Sequence, residues 1–238
     1  MRRASSVPLS SHSVVQRNST VRPKVTPRGV PMGRRARGGQ SSAKIPFIPP
    51  ENWYEPTDDR LPGTSCRVVQ QEPGEGYRHV LTIAEVRDRL AQLPGWMTER
   101  LEVLQLSRMT RKKRSFPCYG MQWGSTVYLY PVEDDLEEFY PRPPRPATWN
   151  EARMYGGRWV EQSGNTWKLI WSESAIKDFY LNNILIHELG HLIDDRNSSY
   201  VDRERFAEWF AIHYGYKPSR RAELGRKAVA KLSKRHGK

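Results

Sequence analysis

The sequence predicts an α+β fold: a small antiparallel or mixed sheet packed on one buried helix and on the helix that follows it. Three observations predict it. The run from Ile184 to Asp195 is apolar enough for a buried helix. Aromatic and β-branched runs flank Gln162-Ser163-Gly164-Asn165, as in a β-hairpin. Thr82 and Glu85 fit a capping box ahead of Ile83, Val86, Leu90 and Leu93 at helical spacing.

Charge divides the chain. The net charge is +13, but residues 1–50 hold ten Lys/Arg and no acid, and residues 217–238 hold nine Lys/Arg and one Glu. That leaves 13 − 10 − 8 = −5 for residues 51–216. The body is mildly acidic, so any polyanion binding belongs to the basic ends. Residues 1–45 read as a disordered basic tail, rich in Ser, Arg, Pro and Gly without hydrophobic periodicity. Residues 46–81 read as an extended arm carrying prolines among isolated aromatics, 82–216 as the domain, and 217–238 as a basic C-terminal helix or tail. The two cysteines, Cys66 and Cys118, form no C-x-x-C pair, which excludes cysteine-type zinc binding. No apolar run approaches a membrane span of about 20 residues. The expected location is the cytoplasm, although the acid-free, Arg/Ser-rich N terminus also has the composition of an organelle transit peptide.

Within the domain, the first helix ends at Pro94-Gly95, and Leu101 to Leu106 gives the first strand. Arg111 to Arg114 reads as a basic turn, Val127 to Tyr130 as a strand, Glu133 to Glu138 as an acidic patch, and residues 141–150, with four prolines, as loop. The hairpin pairs Arg158–Glu161 with Thr166–Trp171. Ser172 or Ser174 caps the helix leading into the apolar run. A second helix covers about 202–214, with Gly215 as its stop and Pro218 beyond, and residues 219–235 form a last basic helix.

The apolar run carries chemistry. His187 and His191 are four apart, so on a helix they lie on one face and suit a single zinc ion (Zn2+). Glu188 sits beside that position as a general base for an activated water. A chance match to this three-residue pattern is on the order of one per cent in a chain this long. Catalytic zinc takes three protein ligands and keeps one position open. The candidates for the third are Asp194, Asp195, Asp202, Glu204, Glu208 and His213. Asp194 suits a partner that orients a histidine ring. Glu204 and Glu208 share a helix face with Ala207 and Ala211, and small residues there and at Gly190 let two helices approach closely.

His187-Glu188-Leu189-Gly190-His191-Leu192-Ile193-Asp194, followed by Glu204-Arg205-Phe206-Ala207-Glu208-Trp209-Phe210, resembles the anthrax lethal factor-like (ATLF-like) gluzincin metallopeptidases, whose pattern is HExxHxxD, then ExFAExF. The resemblance covers roughly residues 184–214. It implies a zincin-like metallopeptidase domain with Glu204 as the glutamate ligand and Glu208 as a carboxylate supporting the site from behind. ImmA/IrrE-type peptidases, with ExxA then FA, are a related pattern that Glu204, Ala207, Phe210 and Ala211 also satisfy. The lethal factor-like members place a tyrosine seven residues before the ligand glutamate. This chain has Asn197 there, and Tyr200 is the nearest tyrosine to stabilise an oxyanion, with His213 or Tyr214 as substitutes.

The expected function is therefore zinc-dependent endopeptidase action on a protein or peptide, with the Trp167–Trp171 strand pairing with extended substrate. The alternative is a non-catalytic zinc-stabilised module whose basic ends bind nucleic acid. Glu188 separates the two, because a purely structural site has no use for it.

Overall fold

The computed structural model describes residues 66–115 and 118–236. The expected basic tail and the arm up to residue 65 lie outside the described residues. The described part is mixed α+β with small sheets.

The main sheet has four strands in the order β1-β3-β5-β4: β1 (Arg67–Gln70), β3 (Val103–Leu106), β5 (Thr126–Leu129) and β4 (Gly120–Trp123). The first three run parallel and β4 is antiparallel to β5. Both central strands are buried at every position, as parallel strands covered on both faces should be. Strand β1 belongs to the stretch read from sequence as an extended arm. Arg67-Val68-Val69-Gln70 has no Pro or Gly to keep it out of a ladder, and it pairs in register with Val103–Leu106. A two-stranded ribbon joins β2 (Tyr77–Arg78) to β6 (Val132–Glu133), and a three-stranded antiparallel sheet has the order β7-β9-β8: β7 (Glu137–Tyr140), β9 (Trp167–Ile170) and β8 (Arg158–Glu161).

The capping box holds: Thr82 Oγ1 accepts from Glu85 N at 3.2 Å, and Glu85 accepts from Thr82 N at 2.8 Å, opening α1 (Ile83–Ala91). A short helix, α2 (Gly95–Thr98), follows. Two loops of the sequence reading are helices instead. Arg111–Ser115 is α3, and Pro146–Met154, within and beyond the proline-rich loop, is α4. Pro146 occupies the first helical turn, where a missing N–H costs nothing and the fixed φ suits the helix.

The hairpin turns through Ser163–Asn165 as expected, with Gly164 and Asn165 at positive φ. Ser172 then caps α5 (Glu173–Phe179), accepting from Ala175 N at 3.2 Å. A π-helical turn, Tyr180–Ile184, leads directly into α6 (Leu185–Ile193). Tyr180 is tied to the sheet by its hydroxyl, which donates to the Tyr130 carbonyl at 2.7 Å. Its ring packs in the core in an aromatic cluster with Tyr119, Phe179, Tyr155 and Trp171.

Gly215 is not a helix stop. Helix α7 (Tyr200–Phe210) runs through a second π turn, Ala211–Tyr216, into α8 (Lys217–His236). The two π turns pack against each other, and Gly215 is needed for that approach: a Cβ there would lie 2.0 Å from the Asn182 carbonyl oxygen. Gly215→Ala should therefore cost at least about 3 kcal/mol, because backbone oxygen has nowhere to go. Gly225→Ala in α8 meets nothing within 4 Å and should gain up to about 1 kcal/mol of helix propensity. Denaturant midpoints of the two variants, moving in opposite directions, check this; equal midpoints would contradict the contact.

Candidate metal centre

Helix α6 packs against β4 and β5 on one side and against α7 on the other. Glycine makes both contacts tight. A Cβ on Gly190 would sit 3.0 Å from Ala207 Cα and 3.1 Å from Phe210 Cβ. A Cβ on Gly120 would sit 2.7 Å from Ile184 Cγ2 and 2.8 Å from Glu188 Oε1. Ala207 and Ala211 are buried at the α7 face, so the small residues do bring the two helices together.

That approach delivers three side chains to one point. His187 Nε2 and His191 Nε2 are 3.1 Å apart, and the Glu204 oxygens lie 3.6 Å and 3.4 Å from them. One ligand atom from each falls within 4.8 Å of the others, and all three residues are buried. Tetrahedral nitrogen and oxygen ligands at about 2.0–2.2 Å from zinc lie roughly 3.3 Å from one another, which is the spacing observed. Glu204 Oε2 is also buried with no hydrogen-bond partner, an expensive arrangement for a carboxylate unless a cation completes it. The donor set thus fits a divalent metal of the zinc type.

The electrostatics agree with that grouping. Burial alone would raise Glu204, but the two imidazoles outweigh it and hold the carboxyl down to about 2. Burial would lower His187, but Glu204, Glu188 and Glu151 overcome it and raise the imidazole. Glu188 is raised chiefly by burial, against the pull of His187, His191 and Lys113, so its carboxylate is a stronger base than an exposed one.

Tyr200, at the start of α7, hydrogen-bonds Glu204. Burial first, and then the Glu204 charge, push its phenol up to about 12, so it stays a donor at neutral pH. Seven residues before Glu204, Asn197 holds a turn by bonding Asp194, and Tyr200 reaches Glu204.

Asp194 does not orient a histidine ring. Its Oδ1 accepts from Arg196 N at 3.3 Å and Asn197 N at 3.2 Å, and Asn197 Nδ2 donates to both its oxygens at 3.0 Å. It ends α6 and shapes the turn that returns the chain for α7, which is how it serves the site. Asp195 pairs with Arg100, Asp202 with the Ser199 cap, and His213 stacks on Trp209. Glu208, one turn beyond Glu204, lies within electrostatic reach of Glu151.

Glu151 and Asn183 were not singled out in the sequence. Asn183 stands four residues before His187 and donates to Glu151 Oε1 at 2.6 Å, linking α4 to the helix of the site. Burial and Glu208 raise the Glu151 carboxyl to about 7, against the opposing effects of Asn183 and His187. A carboxyl raised on folding costs stability wherever the unfolded chain ionises it, and the cost grows until the folded carboxyl ionises too. The cost is absent below about pH 4.5 and complete above about pH 7. Glu151→Gln keeps the acceptor for Asn183 and cannot ionise, so it should stabilise the metal-free protein by about 2 kcal/mol above pH 7 and leave it unchanged below pH 4.5. Unfolding free energies across that range test the assignment, and a gain independent of pH would contradict it.

Strand β9, expected to pair with substrate, is the middle strand of its sheet, flanked by β7 and β8, and offers no edge. The strand beside α6 with an edge unpaired among the described residues is β4. The acidic patch is also not a uniform surface. Glu138 is buried and accepts from Tyr119 Oη at 2.5 Å and Trp171 Nε1 at 3.0 Å, while Glu137 pairs with Lys168.

Compared with protein-family models, with curated proteins and with solved structures, the chain matches none. Among the described residues, no helix is long and apolar enough to cross a membrane.

Proposed function

We propose that the chain is a zinc-dependent endopeptidase with a zincin-like fold, similar to the lethal factor-like gluzincins, and that His187, His191 and Glu204 are its metal ligands. One observation carries the reading: two imidazoles from α6 and a carboxylate from α7 converge within 4.8 Å, with Glu188 buried on the same helix. His187, His191 and Glu204 would hold the zinc, which when bound would supply a Lewis acid for the scissile carbonyl and a water of pKa near ~7. Glu188 takes the proton of the attacking water and passes it to the leaving amine. Tyr200, protonated at neutral pH, donates to the oxygen that gains charge. The β4 edge aligns an extended substrate by backbone hydrogen bonds, and Gly120 leaves the Glu188 carboxyl room against that strand.

A structural zinc site is closed by a fourth protein ligand. The group here has three among the described residues, beside an acid with a base's environment, which favours catalysis over a nucleic-acid-binding module. The basic helix α8 leaves polyanion binding as a separate property of the ends.

The test is metal analysis of the full-length protein with an unbiased peptide-cleavage profile. Zinc should co-purify, and cleavage should stop with a chelator and return with zinc. Cleavage that persists after metal removal would refute the reading.

A further inference from the structure

The sequence offers two cysteines, and among the described residues Cys118 stands beside a buried amine. Lys113, on α3, is 6% exposed and its Nζ lies 2.8 Å from Cys118 Sγ. The same ammonium stands 4.3 Å over the Tyr130 ring. No carboxylate pairs with Lys113 among the described residues. Glu188 acts on Lys113 at Coulombic range, and the group in hydrogen-bond contact with the ammonium is the sulfur. The thiolate is the nucleophilic form of a cysteine, and the ammonium at hydrogen-bond distance is the group that would accompany it. Cys118 is 8% exposed, so small reagents such as hydrogen peroxide are favoured over bulky ones there.

We propose that Lys113 and Cys118 form an oxidation-responsive site that peroxide converts into a covalent Nζ–Sγ link, a sulfenamide. The Cys118 sulfur attacks one oxygen of hydrogen peroxide. The O–O bond breaks, sulfur is oxidised to sulfenic acid, and the peroxide is reduced to one water. The ammonium gives up its proton, and the Lys113 lone pair attacks Sγ. The S–O bond breaks, and the oxygen leaves as a second water. Overall, thiol, amine and one peroxide give the sulfenamide and two waters. Condensation of a sulfenic acid with a nearby nitrogen is established chemistry, and here the nitrogen is already in contact. Because the amine is already in contact, the condensation is intramolecular and outruns attack by external thiols, and a small reductant such as dithiothreitol reverses the link. The link would fasten α3 to the segment that opens β4. It does not depend on the metallopeptidase reading.

The experiment treats the full-length protein with hydrogen peroxide and follows intact mass and protease mapping. The expected product has lost two hydrogens, joins a peptide carrying Lys113 to one carrying Cys118, resists trypsin after Lys113, and reverts with dithiothreitol. Cys66→Ser should keep this product, which separates it from a Cys66–Cys118 disulfide of the same mass change. Lys113→Arg should instead stop at sulfenic acid on Cys118, captured by dimedone. A wild-type product that gains oxygen on Cys118 while trypsin still cuts after Lys113 would overturn the proposal. So would oxidation of Cys66 with Cys118 untouched.

Discussion

Glu188→Gln is expected to keep zinc at the wild-type level and to lose roughly 10²–10⁴-fold in kcat, about 3–5 kcal/mol of transition-state stabilisation. The amide has the shape of the acid and does not ligate in this geometry, so the His187–His191–Glu204 spacing is untouched. What disappears is the proton acceptor. The wild-type carboxyl owes its basicity to burial, and Gly120 lets it sit directly against the β4 backbone. Metal content and turnover on a peptide taken from the cleavage profile are the paired measurements. Wild-type turnover by this variant would remove Glu188 from the chemistry while leaving the metal site standing.

The second large effect concerns which of two glutamates, one turn apart, serves as the proposed metal ligand. Glu204→Ala should weaken zinc binding by more than about 100-fold, whereas Glu208→Ala should weaken it by about 10-fold or less, as for a residue behind the ligands. The geometry separates them: Glu204 carries both oxygens to within 3.6 Å of the imidazoles, while Glu208 interacts with Glu151. Competition against a chromogenic chelator reads both constants, and a reversed order would exchange their roles.

The legible parts of the sequence were those whose signal is local. The capping box at Thr82, the Gly164-Asn165 turn and the Ser172 cap each depend on residues within a few positions, and each stands as read. The helical spacing of His187 and His191, and the small residues at Gly190, Ala207 and Ala211, likewise follow from helix periodicity. What escaped depends on distant chain. Gly215 looks like a helix terminator until Asn182, thirty-three positions earlier (215 − 182 = 33), is known to press on it. Glu151 lies in a proline-rich stretch with no site signal, and only the packing of α4 brings it to Asn183. Strand β9 was the natural substrate partner by sequence proximity to α6, yet pairing on both sides closes it, a fact of topology rather than of composition. Asp194 stands at the last position of the HExxHxxD pattern the chain resembles, but spends its oxygens on the Arg196–Asn197 turn.

The hydrophobic cluster that surrounds α6 draws on both the sheets and the helices, from Val80 to Phe210. The candidate ligands, by contrast, tie together segments only thirteen positions apart (204 − 191 = 13). Closing so short a loop removes little entropy from the unfolded chain. An ion at this place acts as a clasp on a finished frame, unlike the metal of a zinc finger, which nucleates the frame itself. If the proposed ion is bound, its extraction should therefore leave an empty but intact receptor, ready to be refilled.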